Sequence, residues 1–325
     1  MQSGLSKVIF VSWEDHRRTR EICSALGIEL HALVTASGGL KRYLLLIPRT
    51  LRLLSQKRAH TVIVQNPSLM LNILAILLRR LLSLRVIMDA HNEAVLPYLH
   101  PYASVRWATR WLHKRSDHVI VTNKYLADIV ASNGGRPLIL PDRIPEPPAG
   151  EVPVPMRGPF NVVLVATFVR DEPIREVLDA AAQLGPEFQF YVTGNDRNLA
   201  PALRARTPAN VTFTGFLSEL QYWSALRGAD LVVDLTLIDN CLVCGAYEAL
   251  AVGTPLVLSG NAASIDVFAG AARFADNSAN GIAQAIREAK VSAAELRAQV
   301  YSVRERLRTT WEENAAIVRR RLGTC

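Results

Sequence analysis

The chain runs through one pattern twice: a short β-branched or aromatic run, then a helix-length amphipathic segment, then another such run. In the first half the runs predict strands over 8–12, 29–34, 61–65, 85–89, 118–122 and 138–140. Helical patterns lie between them, over 16–26, 40–56, 69–82, 104–115 and 124–132, the first closed by Gly27. In the second half strands are expected over 161–166, 189–193, 211–214, 231–235, 255–259 and 272–274. The matching helices fall at 172–184, near 199–206, at 218–227, at 245–252 and from 280 to 321. Ser218 with Gln221 three residues on reads as a capping box. Apolar strands alternating with helices build parallel sheets covered on both faces. Each half is therefore expected to be an α/β, doubly wound, Rossmann-like domain.

Composition supports the division. A length of 325 residues favours two domains. Seven of the 17 prolines lie from Pro141 to Pro159, a stiff extended stretch suited to a linker. The expected domains are 1–145 and 160–300, with a Pro-rich linker over 146–159. A last helix over 301–325 is placed to pack back on the first domain. Ligands of open α/β sheets bind beyond the carboxyl ends of the strands. Two such domains facing across a cleft would put the site between them.

Charge is unevenly distributed. Residues 1–150 carry 20 Lys/Arg against 10 Asp/Glu, and the remainder 17 against 19. A positive first half attracts anionic surfaces or phosphorylated ligands. Its basic helical stretches, with Lys41, Arg42, Arg49, Arg52, Lys57, Arg58, Arg79 and Arg80 around Leu runs, suit an anionic bilayer. Aromatic residues are not interleaved with these cations, which disfavours nucleic acid. The apolar stretch from Pro67 to Leu78 is too short to span a membrane. Residues 1–7 lack a signal-peptide core. A cytoplasmic protein, peripheral on the inner face of the cytoplasmic membrane, is expected. Cys23, Cys241, Cys244 and Cys325 read as thiols at buried apolar positions, because no second pair or nearby His completes the Cys241/Cys244 spacing.

Several motifs are missing from the sequence. There is no G-x-x-x-x-G-K-[ST], no G-x-G-x-x-G after either first strand, no G-x-S-x-G and no H-E-x-x-H. No Asp-x-Asp pair occurs. A bound nucleotide must therefore meet Arg side chains and helix N-termini. The most informative stretch runs from Val232 to Ser259: strand, loop, helix, Gly, Pro and strand. Its loop, 241–245 with Cys241 and Leu242, offers the unpaired N–H groups of a helix start to a diphosphate. Glu248, just inside that helix, can grip vicinal hydroxyls with both oxygens. Arg170 is the one cation of the loop 166–173, and Gly194 opens the loop after the next strand, with Arg197 in reserve.

This segment resembles the donor site of retaining glycosyltransferases of family 4, which have the GT-B fold. Their pattern is Glu, seven residues, Glu, then Ala-x-Ala-x-Gly-x-Pro. Similar stretches run from Asn210 to Asp230 and from Ser116 to Thr122, and Leu140-Pro-Asp-Arg-Ile-Pro145 stands where the family has Ile-Pro-Asn-Gly. The resemblance implies that Glu248 binds ribose hydroxyls and that Asn240, where the family has its first Glu, contacts the donor sugar. It implies that His91 faces the donor sugar as a catalytic group, with Asn240 beside it. Where the family holds the diphosphate with Arg and Lys, this chain has Thr167 and Glu172, leaving Arg170 as the substitute contact. Acceptor contacts are implied for the loop carrying Asp15 and His16. The two could also form a His–carboxylate pair for acid–base work, or Asp15 could cap the helix.

The expected protein is thus a GT-B-like glycosyltransferase that needs no cofactor and no metal. It would move a sugar, with retention, from a nucleotide-sugar, such as a UDP-sugar, to a saccharide or lipid-linked saccharide in surface polysaccharide or glycolipid synthesis. The alternatives are a catalytically silent GT-B partner or carbohydrate binder, and a nucleotide-sugar epimerase.

Overall fold

A computed structural model of the chain describes residues 7–66, 68–96 and 99–323. The chain divides into two compact units, Met1–Arg143 with Thr310–Cys325, and Ile144–Thr309.

The first unit is a six-stranded parallel sheet. In chain order its elements are β1 (Val8–Ser12), α1 (Arg17–Leu26), β2 (Glu29–Ala32), α2 (Gly39–Lys57), β3 (Thr61–Asn66), α3 (Leu69–Leu78), β4 (Arg85–Ala90), α4 (Ala103–Arg115), β5 (His118–Val121), α5 (Lys124–Ser132) and β6 (Pro137–Ile139). The strand order is β2-β1-β3-β4-β5-β6, so the winding reverses between β1 and β3. All of β1 and β3 is buried, which is why both read as unbroken apolar runs. Gly27 closes α1 in the left-handed conformation at φ 66°. One core cluster joins Phe10, Ile63, Ile87 and Ile120, on the four neighbouring strands β1, β3, β4 and β5, to Ile22 and Leu26 of α1.

The second unit repeats the plan with β7 (Phe160–Leu164), α6 (Ile174–Leu184), β8 (Phe188–Thr193), α7 (Pro201–Arg204), β9 (Val211–Gly215), α8 (Glu219–Gly228), β10 (Leu231–Asp234), α9 (Cys244–Val252), β11 (Leu256–Ser259), α10 (Ala262–Phe268), β12 (Ala272–Ala275), α11 (Ala279–Val291) and α12 (Ala293–Leu322). Its order, β12-β11-β10-β7-β8-β9, is that of dinucleotide-binding sheets, with the reversal between β7 and β10. Ser218 and Gln221 form the capping box at the start of α8. The last helix crosses the unit boundary at Thr309. Beyond it, Trp311, Ala315, Val318 and Leu322, three or four residues apart, join the core cluster of the first unit.

Several local expectations are corrected. The helix expected from 172 starts at Ile174, because Pro173 takes the N-cap position and Glu172 turns back on the preceding loop. The helices expected from 280 to 321 are two, parted at Ser292, while α10 was not anticipated. Asp15 does not cap α1. His16 stands at the N-cap without a side-chain bond, while Asp15 pairs with Arg20 at the surface. Among the described residues only Cys23 is a buried thiol, its pKa pushed by burial up to about 12. Cys241 is half-buried and Cys244 exposed, because the start of α9 lies at the surface. Cys325 and Pro67 lie outside the described residues. Among the described residues no helix is long and apolar enough to cross a membrane.

Candidate donor and acceptor sites

In the second unit the loops after β7 and β10 flank the reversal of the sheet. The loop after β10 leads into α9, nine residues long. Asp234, the last residue of β10, is buried beneath that helix and accepts a hydrogen bond from the Gly245 backbone N–H. Burial, then the nearby Glu248 and Glu172 carboxylates, push its carboxyl well above the usual carboxylate range. Gly245 is required here: a Cβ would lie 2.4 Å from Asp234 Oδ2 and 3.0 Å from Val165 Cγ2.

Glu248 lies one turn further along α9. The Tyr222 hydroxyl donates to its Oε2 at 2.5 Å. Burial first, then Glu248, raise the phenol's pKa well above its ordinary value, so it remains a donor. Glu248 is thereby held in one orientation beside the helix start.

The loop after β7 is closed on itself. Thr167 N donates to Glu172 Oε1 and Oε2 at 2.9 and 3.0 Å, Thr167 Oγ1 donates to Oε1 at 2.6 Å, and Phe168 N donates to Oε2 at 2.7 Å. Phe168 adopts φ 59°, a conformation that costs a non-glycine residue about 1–2 kcal/mol. That turn aims two successive N–H groups at one acceptor. Gly194, at φ 98° after β8, approaches Ala166 so closely that a Cβ would lie 2.0 Å from its carbonyl oxygen. A cavity of about 330 Å³ opens beside the loop, lined by Phe168, Arg170, Glu172, Leu199, Leu203 and Leu237.

The structure therefore brings Thr167, Glu172, Asp234 and Glu248 into one neighbourhood, with Gly194 against the same loop. Arg170 is exposed, lines the cavity and forms no ion pair among the described residues. Arg197 is exposed on the turn after Gly194. Leu242 is buried, so only its backbone can meet a ligand, and Cys241 is half-buried. Asn240 stands at φ 56°, a left-handed conformation that Asn adopts more readily than most residues. Sequence reasoning missed Asp234 and Tyr222. The available signal was an acid closing an otherwise apolar strand.

In the first unit His16, after β1, and His91, after β4, meet edge to face with ring centroids 4.9 Å apart. Asp89, buried at the end of β4, places Oδ2 3.8 Å from His91 Nε2. Arg18 bridges Asp89 and Asp142 and donates to the Leu140 carbonyl at 2.9 Å. Burial opposes ionisation of Asp89, but Arg18 and His91 hold its carboxyl below the usual range. Burial, then His91, lower the pKa of His16, which favours the neutral imidazole. His16 Nδ1, His91 Nε2 and Asp89 Oδ2 are buried without a hydrogen-bond partner among the described residues. Asp15 stays outside this cluster. Arg18 was missed, although it stands on the Ile22–Leu26 stripe of α1, four residues before Ile22.

Among the described residues no three His, Cys, Asp or Glu side chains are grouped to hold a metal ion.

The family model "Glycosyl transferase 4-like domain" matches residues 3–140, and "Glycosyl transferases group 1" matches residues 159–290. No curated protein matches the chain by sequence. Among solved structures, sucrose-phosphate synthase of Thermosynechococcus elongatus is 17% identical at TM-score 0.74, over 96% of this chain and 97% of that one. HepE of Anabaena, in complex with UDP and glucose, is 12% identical at TM-score 0.72, over 97% and 92%. The pneumococcal O-GlcNAc transferase GtfA, in complex with UDP and GlcNAc, is 13% identical at TM-score 0.60, over 83% and 59%. The two family models take in most of the chain, each on its own sheet, and the chain belongs to the glycosyltransferases of the GT-B fold.

Proposed function

We propose that the second unit binds a nucleoside diphosphate sugar, with UDP as the first candidate nucleotide, and that the first unit supplies the acceptor contacts. The observation that carries this reading is Glu248, held by Tyr222 one turn into α9 beside the reversal of the sheet. A fixed carboxylate at that place can accept from two vicinal ribose hydroxyls, and the helix start favours the adjoining phosphates. The structural neighbours HepE and GtfA, which carry UDP in their own crystals, support UDP over other nucleotides.

In the first unit, His91 and His16 are assigned to the reacting sugar and the acceptor. An imidazole can accept a hydroxyl proton, and the Asp89 carboxylate, 3.8 Å from His91 Nε2, stabilises an imidazolium that forms there. Retention of configuration and metal-independent transfer follow from the family resemblance and belong to this proposal. A saccharide or lipid-linked saccharide acceptor at an anionic membrane surface completes it. That setting is supported by an exposed stripe on α2, Leu40, Tyr43, Leu44 and Leu51, flanked by exposed Lys41, Arg49 and Arg52. A cytoplasmic place and a role in polysaccharide or glycolipid synthesis come from the family resemblance and belong to the same proposal.

Calorimetric titration with UDP and GDP, on the unaltered protein and on Glu248→Ala, tests the donor site. UDP binding that weakens at least about tenfold in Glu248→Ala is expected. GDP in its place would keep the site and change the base. Equal binding by both proteins would remove Glu248 from the site.

A further inference from the structure

The loop after β7 is an oxyanion cradle that is already filled. Two successive backbone N–H groups and one hydroxyl, from Thr167 and Phe168, converge on the two oxygens of Glu172 at 2.6–3.0 Å. The same donors would suit a phosphate oxygen equally well. The cradle stands at the reversal of the second sheet, on the β7 side. The neighbouring anion position, at the start of α9, is also met from within, since Gly245 N–H donates to the buried Asp234. Glu172 and Glu248 both act electrostatically on Asp234, so the cradle and the proposed ribose contact share one small acidic neighbourhood. Arg170 lies on the same loop and faces the same cavity without an ion pair among the described residues.

We propose that Glu172 is an internal anion that occupies the phosphate position of the donor site, so that a nucleoside diphosphate enters only by displacing it. The inference rests on the donor-site reading above. Its geometry explains why Thr167 and Glu172 occur together. Thr167 contributes two of the three donors and Glu172 the acceptor, and they act as one latch. When the latch opens, the Thr167 and Phe168 donors turn to the incoming phosphate. Glu172 moves out towards Arg170, whose exposed guanidinium is the cation at hand. Glu172 is then a residue that sets donor affinity, and its removal strengthens binding even though it deletes hydrogen bonds.

The test is calorimetric titration with UDP on the full chain, comparing the unaltered protein, Glu172→Ala and Glu172→Gln. Near-ultraviolet circular dichroism checks that each variant is folded, and the isosteric Gln serves if Ala loosens the loop. Both variants are expected to bind UDP about tenfold more tightly, the effect of removing one like charge near the phosphate at partly exposed separation. Binding by the variants alone would support the latch in its strongest form. Equal or weaker binding by the variants, with the unaltered protein binding UDP, would overturn the latch and leave the donor site standing. Binding by none of the three would overturn the donor-site reading and the latch with it.

Discussion

Gly245→Ala is the substitution whose effect follows most directly from the geometry. The new methyl would lie 2.4 Å from Asp234 Oδ2 and 3.0 Å from Val165 Cγ2. Asp234 cannot retreat, because it belongs to β10, which pairs with β7 on one side and β11 on the other. Ala is the better helix former by about 0.5–1 kcal/mol. Against that, forcing the methyl into a packed interior costs about 1–3 kcal/mol. Separating Asp234 from the Gly245 N–H leaves a buried polar group unmet, a further ~1–3 kcal/mol. The net effect is a local destabilisation of about 1–5 kcal/mol. In an Asp234→Ala background the first clash is gone, and the Val165 methyl can turn aside. There Gly245→Ala should be neutral or slightly stabilising. The coupling energy between the two positions is expected near ~2 kcal/mol. Hydrogen exchange of the backbone amides across 231–252, measured on all four proteins of the cycle, reads the local stability without assuming that both units unfold together. Equal destabilisation by Gly245→Ala in both backgrounds would refute the account of Asp234 as the neighbour that demands glycine.

Three further outcomes are expected. Asp234 has a folded-state pKa raised above its unfolded value, so its contribution to stability is full below the ordinary carboxylate range and is lost as pH rises through the folded value. Asp234→Asn, neutral throughout, should therefore gain stability relative to the unaltered protein as pH increases from about 4 upwards; a difference in urea midpoint that ignores pH would count against this. Arg18→Met should destabilise the first unit by about 3–5 kcal/mol in urea unfolding, since Asp89 and Asp142 both lose their cation, and a loss below ~1 kcal/mol would show that neither carboxylate depends on it. The double substitution Leu40→Ser with Leu44→Ser, at positions 74% and 66% exposed, should cut flotation with phosphatidylglycerol vesicles at least about tenfold without changing the fold; unchanged flotation would remove α2 from the membrane reading.

The candidate site was legible in proportion to how local its signals are. Glu248 announces itself through the loop, helix, Gly and Pro that surround it, all within one stretch of chain. His16 and His91 were each visible at a strand end, but their meeting was not. They are 75 positions apart, and only the order β2-β1-β3-β4 sets β4 near β1. Thr167 and Glu172 were noticed as two separate substitutions for basic residues. Five positions apart, they looked unconnected because the apolar spacing carried the helix back to 172. Pro173 takes the N-cap position, so the helix starts only at Ile174, and the freed Glu172 carboxylate finds the Thr167 and Phe168 N–H groups. Asp234 looked like the end of a strand, and its importance lies in the helix that passes over it.

The sequence by itself determined two parallel α/β sheets and the strand ends on which polar residues stand. Those properties follow from side-chain period and backbone propensity, which act over a few residues. Tertiary structure decided which of those ends became neighbours, which charges were buried and which anion positions were already filled. Those outcomes depend on strand order and close packing, where a methyl's width separates a hydrogen bond from a clash.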